Sequence, residues 1–251
     1  MLSSFFLWFS IATLASGQRD ANRLDEFVKL FSDCHSSDRG YFDECMRNAL
    51  NNARAFFKTG VPELNVGPFD PFFAEEIVQE RGGQSFRYRL TLRNVYERGW
   101  THSEVTDFRS DLTNANIRYH QWFPEKYLQG EWEIVSNILS PFTNSGTFDL
   151  SLYNYTQVTT VQKIGRGNPN PERPFSVHIQ AIDSGNLELH ITNLLKGKTV
   201  LETLLDRAIN IGWRPGFHLL KPLIDDLVST AFTKIFNDYF HHFPFDAVIP
   251  R

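Results

Sequence analysis

The sequence predicts an α+β fold in which a strongly curved antiparallel sheet wraps a long apolar C-terminal helix, and three observations carry that prediction. Between Phe217 and Phe240 apolar side chains recur at helical spacing. From Phe86 to about Leu195 apolar and polar residues alternate in several segments separated by turn signals. Ahead of both lie two short amphipathic segments joined by a loop, with Cys34 in the loop and Cys45 in the second segment.

The C-terminal helix is the strongest element. At about 100° per residue, Phe217, Leu220, Leu223, Ile224, Leu227, Val228, Ala231, Phe232, Ile235, Phe236 and Tyr239 cover roughly half its circumference, wider than the stripe of an ordinary surface helix. Such a helix is expected to be sheathed by other structure, enclosing either a large apolar core or an apolar cavity.

The sheet follows from period two. Phe86, Tyr88, Leu90 and Leu92 alternate with Arg87, Arg89, Thr91 and Arg93; Ile117 and Tyr119 form a second segment, and Trp132, Ile134 and Ile138 a third. Phe148 to Leu152, Phe175 to Ile179 and Leu187 to Ile191 continue the pattern. Turn signals at Arg81-Gly82-Gly83, Asn144-Ser145-Gly146, Gly165 to Pro174 and Asp183 to Asn186 predict a meander of short strands. Each strand has one apolar face, and that face and the final helix need each other. Helical periodicity also marks residues 22–32, 41–58 and about 200–211, with Gly60 stopping the second of these and Val61 to Phe73 an extended connector. No linker divides the chain, so residues 18–251 are expected to form one domain.

Phe5 to Leu14 followed by Ala15-Ser16-Gly17 has the layout of a cleavable signal peptide over residues 1–17, too short to span a bilayer. The alternative is an uncleaved N-terminal anchor. The reading is a secreted chain, in which the Cys34/Cys45 pair is expected to form one disulfide. No paired Cys or His motif supplies a metal site. A net charge of −4 argues against nucleic acid. Asn154-Tyr155-Thr156 is a glycosylation sequon, which places Asn154 toward water if it is used.

A search for catalytic apparatus finds no Gly-x-Ser-x-Gly elbow, no His-Glu-x-x-His pair and no dinucleotide loop at Gly165-Arg166-Gly167. His102 with Ser103, Glu104 and Asp107 is a polar strand edge, and His241 and His242 cannot share a metal from one helix. No catalytic residue, cofactor or metal is therefore assigned. A lipid-ester hydrolase and a protein-interaction module built on Phe240, Phe243 and Phe245 remain as alternatives.

The chain resembles the insect Takeout and juvenile hormone binding protein family. The resemblance is carried by the early cysteine pair, Gly60-Val61-Pro62-Glu63-Leu64, Asp70-Pro71-Phe72, Asn94-Val95 with Gly99, and Asp111-Leu112. Gly130 with Trp132, Ser136, Ile138 and Leu139, then Gly146, Asn193-Leu194 with Gly197-Lys198, Trp213, Lys221-Pro222 and Phe243-Pro244-Phe245-Asp246 extend it over the mature chain. It implies a TULIP-like roll enclosing an apolar tunnel, and a secreted carrier or sensor of juvenile hormone, another terpenoid or a fatty acyl molecule. The single cysteine pair places the chain nearer the Takeout branch, and Leu195-Lys196-Gly197-Lys198 departs from the family pattern. Candidate wall residues are Trp132, Ile134, Phe148, Val177 and Ile179 from strands and Leu220, Ile224, Leu227 and Phe236 from the helix. Tyr88, Tyr119 and Tyr153 are candidates to offer a hydroxyl to a ligand oxygen. The expected partner is a small hydrophobic ligand, with a receptor or other protein partner as a further candidate, no stable membrane insertion and a monomer by default.

Overall fold

The computed structural model describes residues 23–83, 87–137, 142–164, 171–196 and 199–250. The expected signal segment, Phe86 and Ile138 fall outside these residues, as does the side chain of Leu220.

Two helices open the described chain, α1 (23–29) and α2 (Arg39–Asn52). Asp38 caps α2 by accepting the Tyr41 N–H, and the Cys34–Cys45 disulfide ties the intervening loop to the second helix. A 3-10 turn (Ala53–Phe56) ends it, and Gly60, at φ +69°, takes the left-handed turn that follows. Phe31, Phe42, Met46 and Ala49 pack with Val105 and Phe108 of the sheet into a small satellite core.

Seven strands make one antiparallel sheet: β1 (Phe72–Gly82), β2 (Arg87–Arg98), β3 (Glu104–Asp111), β4 (Asn116–Ser136), β5 (Phe142–Lys163), β6 (Phe175–Asp183) and β7 (Asn186–Ile191). The order is β1-β2-β4-β5-β6, with β3 also on β4 and β7 also on β5. The long β4–β5 pair is the spine. β2 and β3 both run antiparallel to β4, so they are halves of one interrupted strand, and β6 and β7 stand in the same relation to β5.

This corrects the expected meander in three places. The Asp183 to Asn186 signal interrupts a strand without reversing it, because β6 and β7 pair with the same neighbour. Asn144-Ser145-Gly146 lies inside β5, not at a turn. There Asn144 Nδ2 donates to the Asn193 carbonyl (2.8 Å), and Gly146 has no Cβ because one would stand 2.2 Å from the Thr192 carbonyl oxygen. The residue types that favour a turn are present because a neighbouring segment needs the room and the donor. Finally, the segments at Ile117 and Trp132 are one strand. Pro124, which has no N–H, and Asn154, at φ +49°, lie between the Phe123–Tyr155 and Glu125–Tyr153 pairs and shift the inward phase there. Phe123 and Tyr155 point inward on one side of this break, Lys126 and Leu152 on the other.

The connector contains more structure than its composition suggests. Val61 bridges Val66 around a 3-10 turn, and the Asp70 carboxylate accepts the N–H groups of Gly99 (3.2 Å) and Thr101 (2.7 Å). Asp70 thereby holds the break between β2 and β3.

Three helices follow, α3 (Thr199–Ile211), α4 (Trp213–Phe240) and α5 (Phe245–Val248). The rolled sheet leaves the edges of β1 and β6 unpaired, and α4 lies in that gap. Every fourth residue of α4 meets every second residue of β6. The Ala181 N–H donates to Asp225 Oδ1 (2.8 Å), Ile179 N–H to Ser229 Oγ (2.8 Å), Val177 N–H to Thr233 Oγ1 (3.0 Å) and Phe175 N–H to Asn237 Oδ1 (3.0 Å). Thr233 and Asn237 also donate back to the Val177 and Phe175 carbonyls. The match is geometric, since four helical residues rise about 6 Å and two strand residues about 6.6 Å. On the other edge, Asp226 alone takes Gln79 and Arg81 of β1, with Arg81 also reaching Thr230. The helix is thus not sheathed on all sides. Leu223 is exposed and Leu227 half-buried, while Phe217, Ala231, Phe232 and Ile235 are buried against the sheet.

Asn237→Leu keeps the branching at Cγ, with two methyl groups in place of the amide atoms, and removes the side-chain partner of both Phe175 backbone groups. A loss of about 2–4 kcal/mol is expected, read as a lower denaturant midpoint at unchanged m-value.

Candidate ligand-binding site

The inner face of the roll has two parts. Toward the C-terminal end of α4 it is dry: Phe123 is 0% exposed, Ile179 1% and Val177 3%, packed with Phe232 and Ile235. Toward the β4–β5 tip, the inward residues Ile134, Phe148, Leu150 and Leu189 are only half-buried, as are Trp213, Ile224 and Val228 on the helix that faces the sheet. These side chains keep part of their accessible surface, while Leu150, Leu189, Trp213, Ile224 and Val228 pack against the main core cluster.

Aromatic rings shape this part. The Phe148 ring lies over Gly130, where an added Cβ would stand 3.1 Å from it, and the Trp132 indole lies over Gly146. Glycine opposite an aromatic residue lets the ring lie flat on the sheet. Trp132 is 8% exposed and its Nε1 has no hydrogen-bond partner among the described residues. α3 closes along the free edge of β7: the Leu189 N–H donates to Asn210 Oδ1 (2.8 Å), Asn210 donates back to its carbonyl, and Asp206 pairs with His190. Across the molecule, an open groove of about 450 Å³ runs between β1 and α4, rimmed by Glu76, Arg173 and Lys234.

Of the residues singled out from the sequence, Ile134 and Phe148 lie half-buried on this inner face beside the buried Trp132, and Ile224 packs against the core cluster from the helix. Val177 and Ile179 lie in the dry part, and Phe236 packs against that same cluster. Tyr119 also points inward but is committed to Thr159; burial pushes its hydroxyl up to about 12, with the Thr159 hydrogen bond opposing. Asn154 is exposed. Ser103 donates to the Trp100 carbonyl and accepts from Gln121, so it is not paired with His102 as a nucleophile would be. Among the described residues no three His, Cys, Asp or Glu side chains are grouped to hold a metal, and no helix is long and apolar enough to cross a membrane.

One feature escaped the sequence. Lys126 is an inward residue of β4, and its ammonium lies 2.7 Å from Glu97 of β2, with side chains 5% and 6% exposed. It donates to Gln157 Oε1 (3.2 Å) and sits over the rings of Phe123 (4.5 Å), Trp100 (4.6 Å), Tyr155 (5.5 Å) and Phe232 (5.9 Å). Burial, then the Glu97 and Asp225 charges, push the Tyr155 hydroxyl far up. In sequence Lys126 reads as the solvent side of a strand. Pro124, two residues earlier, is the only local sign that the phase changes.

The profile of the haemolymph juvenile hormone binding proteins matches residues 7–250. The chain belongs to this family. Circadian clock-controlled protein daywake of Drosophila melanogaster is 20% identical over 254 residues, covering 97% of this chain and 95% of that protein. The crystal structure of Epiphyas postvittana Takeout 1 superposes with a TM-score of 0.53 at 19% identity, covering 78% of this chain and 91% of that one. The curved antiparallel sheet against a long helix is thus the fold of a Takeout protein. The family is described by what it binds, and the half-open apolar face fits that description.

The raised hydroxyls have a consequence for alkaline stability. Tyr119 holds its proton in the fold up to about pH 12, whereas the unfolded chain releases it near 10. The stabilisation from this group is complete below pH 10 and is lost as pH rises toward 12. Phenolate absorbance should show Tyr119 and Tyr155 titrating after the exposed tyrosines, and Tyr119→Phe should flatten the fall in stability between pH 10 and 12.

Proposed function

We propose that this protein is a secreted, non-catalytic carrier or sensor of a small hydrophobic ligand, a terpenoid such as juvenile hormone or a fatty acyl molecule. The ligand lies in an apolar tunnel between the tip half of the β4–β5 pair and α4. The observation that carries the reading is the half-buried inner face of Ile134, Phe148, Leu150 and Leu189 in a fold whose other half is packed dry. Family membership supports it. Binding is burial: about 25 cal/mol per Å² of apolar surface leaves water, so a chain of ten or more carbons needs few polar contacts. The signal-like residues 1–17 and the disulfide favour export, and the exposed Asn154 suits a glycan pointing away from the ligand. Val177, Ile179 and Phe236 serve this site from behind, by fixing the dry core.

A second reading has one observation in its favour. Phe245 is 41% exposed beside Phe240 and Phe243, an aromatic corner that a receptor or delivery partner could cover.

Native mass spectrometry of protein secreted from insect cells, with organic extraction, tests the carrier reading. A stoichiometric apolar species is expected, displaced by terpenoids or fatty acyl chains. Phe148→Ala enlarges the site and Ile134→Trp fills it; the second should weaken a fluorescent acyl probe about tenfold or more with the fold intact. Empty protein that binds none of a lipid panel would remove the reading and leave the aromatic corner.

A further inference from the structure

We propose that Lys126, Glu97, Gln157 and Trp100 form the polar floor of the ligand site, and that this floor selects a leading end bearing a neutral oxygen function, an ester, ketone or alcohol, over an ionised carboxylate. The inference rests on the carrier reading above and names the ligand chemistry that the same site takes.

Position is the first argument. Lys126 faces inward where the sheet changes character, with Phe123 fully buried on one side and the half-buried Leu150 and Phe148 on the other. An apolar chain entering along the inner face from the tip meets this group before it meets the closed core.

Cost is the second. A lysine and a glutamate each about 95% buried lose their hydration, and an apolar pair of similar size would often stabilise a core as well or better. The pair is not required by the ladder, which uses backbone groups only. Its retention in an apolar interior calls for a role beyond packing.

Hydrogen-bond capacity is the third. The ammonium donates to Gln157 and is ion-paired with Glu97 at 2.7 Å, and the rest of its surface is bounded by aromatic faces. Trp100, 5% exposed, has a buried indole N–H without a partner among the described residues. Its ring stands 4.6 Å from the ammonium. The Trp100 indole N–H is therefore the donor of this node that is open to an oxygen acceptor, and Glu97 Oε1, which accepts no hydrogen bond among the described residues, is open to a hydroxyl donor.

Charge decides which acceptor. Glu97 already neutralises Lys126, so a neutral carbonyl or hydroxyl adds no net charge. A carboxylate would leave the node at −1, among ring faces that repel anions and in a medium where an uncompensated charge is expensive. Removal of the Glu97 charge inverts the preference, because a ligand carboxylate then becomes the counter-ion of Lys126.

The test is competition at pH 7.5 between a C16 fatty acid and its methyl ester for the site of a fluorescent acyl probe, in wild type, Glu97→Gln and Trp100→Phe. Wild type should bind the ester about tenfold more tightly than the acid, and the acid should approach the ester as pH falls through the carboxyl range near 4–5. Glu97→Gln should favour the acid, and Trp100→Phe should weaken the ester by about three- to tenfold with little change for the acid. The wild-type ratio and its pH dependence need no variant, so the proposal stays testable if Glu97→Gln fails to fold. Ester and acid bound within twofold of each other by wild type, or a ratio unmoved by Glu97→Gln, would overturn the polar floor while the carrier reading stands. Wild type that binds neither ligand would overturn the carrier reading itself.

Discussion

The free edge of β6 is the constraint on which the rest of the architecture depends. A rolled sheet that does not close into a barrel leaves two rows of backbone N–H and C=O groups, and buried backbone groups must find partners. Here α4 supplies them from Asp225, Ser229, Thr233 and Asn237, a polar row at helical spacing laid against a strand at strand spacing. The row fixes the rotation of α4. With that face turned to β6, Ala231, Phe232 and Ile235 must face the sheet and Leu223 must face water. α3 repeats the device once, through Asn210 on the edge of β7. Along β1 the helix is met through the side chains of Gln79 and Arg81, which reach Asp226 and Thr230, and there the groove opens.

The inner face follows from the spine. A pair of strands more than twenty residues long cannot keep one phase and also curl around a helix; the break at Pro124 and Asn154 relieves it. On one side of the break the inward positions are occupied by large apolar groups that pack dry. On the other side glycines alternate with rings, Gly130 under Phe148 and Gly146 under Trp132, and the face stays accessible. The same break turns Lys126 from solvent to interior, where Glu97 from the adjacent strand meets it. Curvature, accessible surface and buried charge pair therefore have one local cause.

Much of the fold was legible because apolar period is a local property. The 3.6-residue repeat of α4 and the alternation in Tyr88 to Leu92, Trp132 to Ile134 and Phe175 to Ile179 each survive in the structure as a buried or half-buried face. β1 was missed because an edge strand with Glu75-Glu76 and Ile77-Val78 in succession has no alternation to detect. The strand interruptions were misread as reversals, since a turn residue reports only that the backbone bends. Of the candidate wall residues, Ile134, Phe148 and Ile224 are half-buried, whereas Trp132, Val177 and Ile179 are buried. Strand phase gives the face of the sheet but not how far along it the packing is complete.

The amino-acid sequence by itself determined the α+β class, the long apolar helix, the cysteine pair and the family, because each is written in residue types at short separations. Tertiary structure alone decided which strands are halves of one strand, which helix face closes the sheet edge, and that Lys126 is an interior cation. Those outcomes depend on pairings between residues tens of positions apart, such as Glu97 with Lys126 and Phe175 with Asn237. Partners at that distance are brought together by closure of the roll, and no local period encodes them.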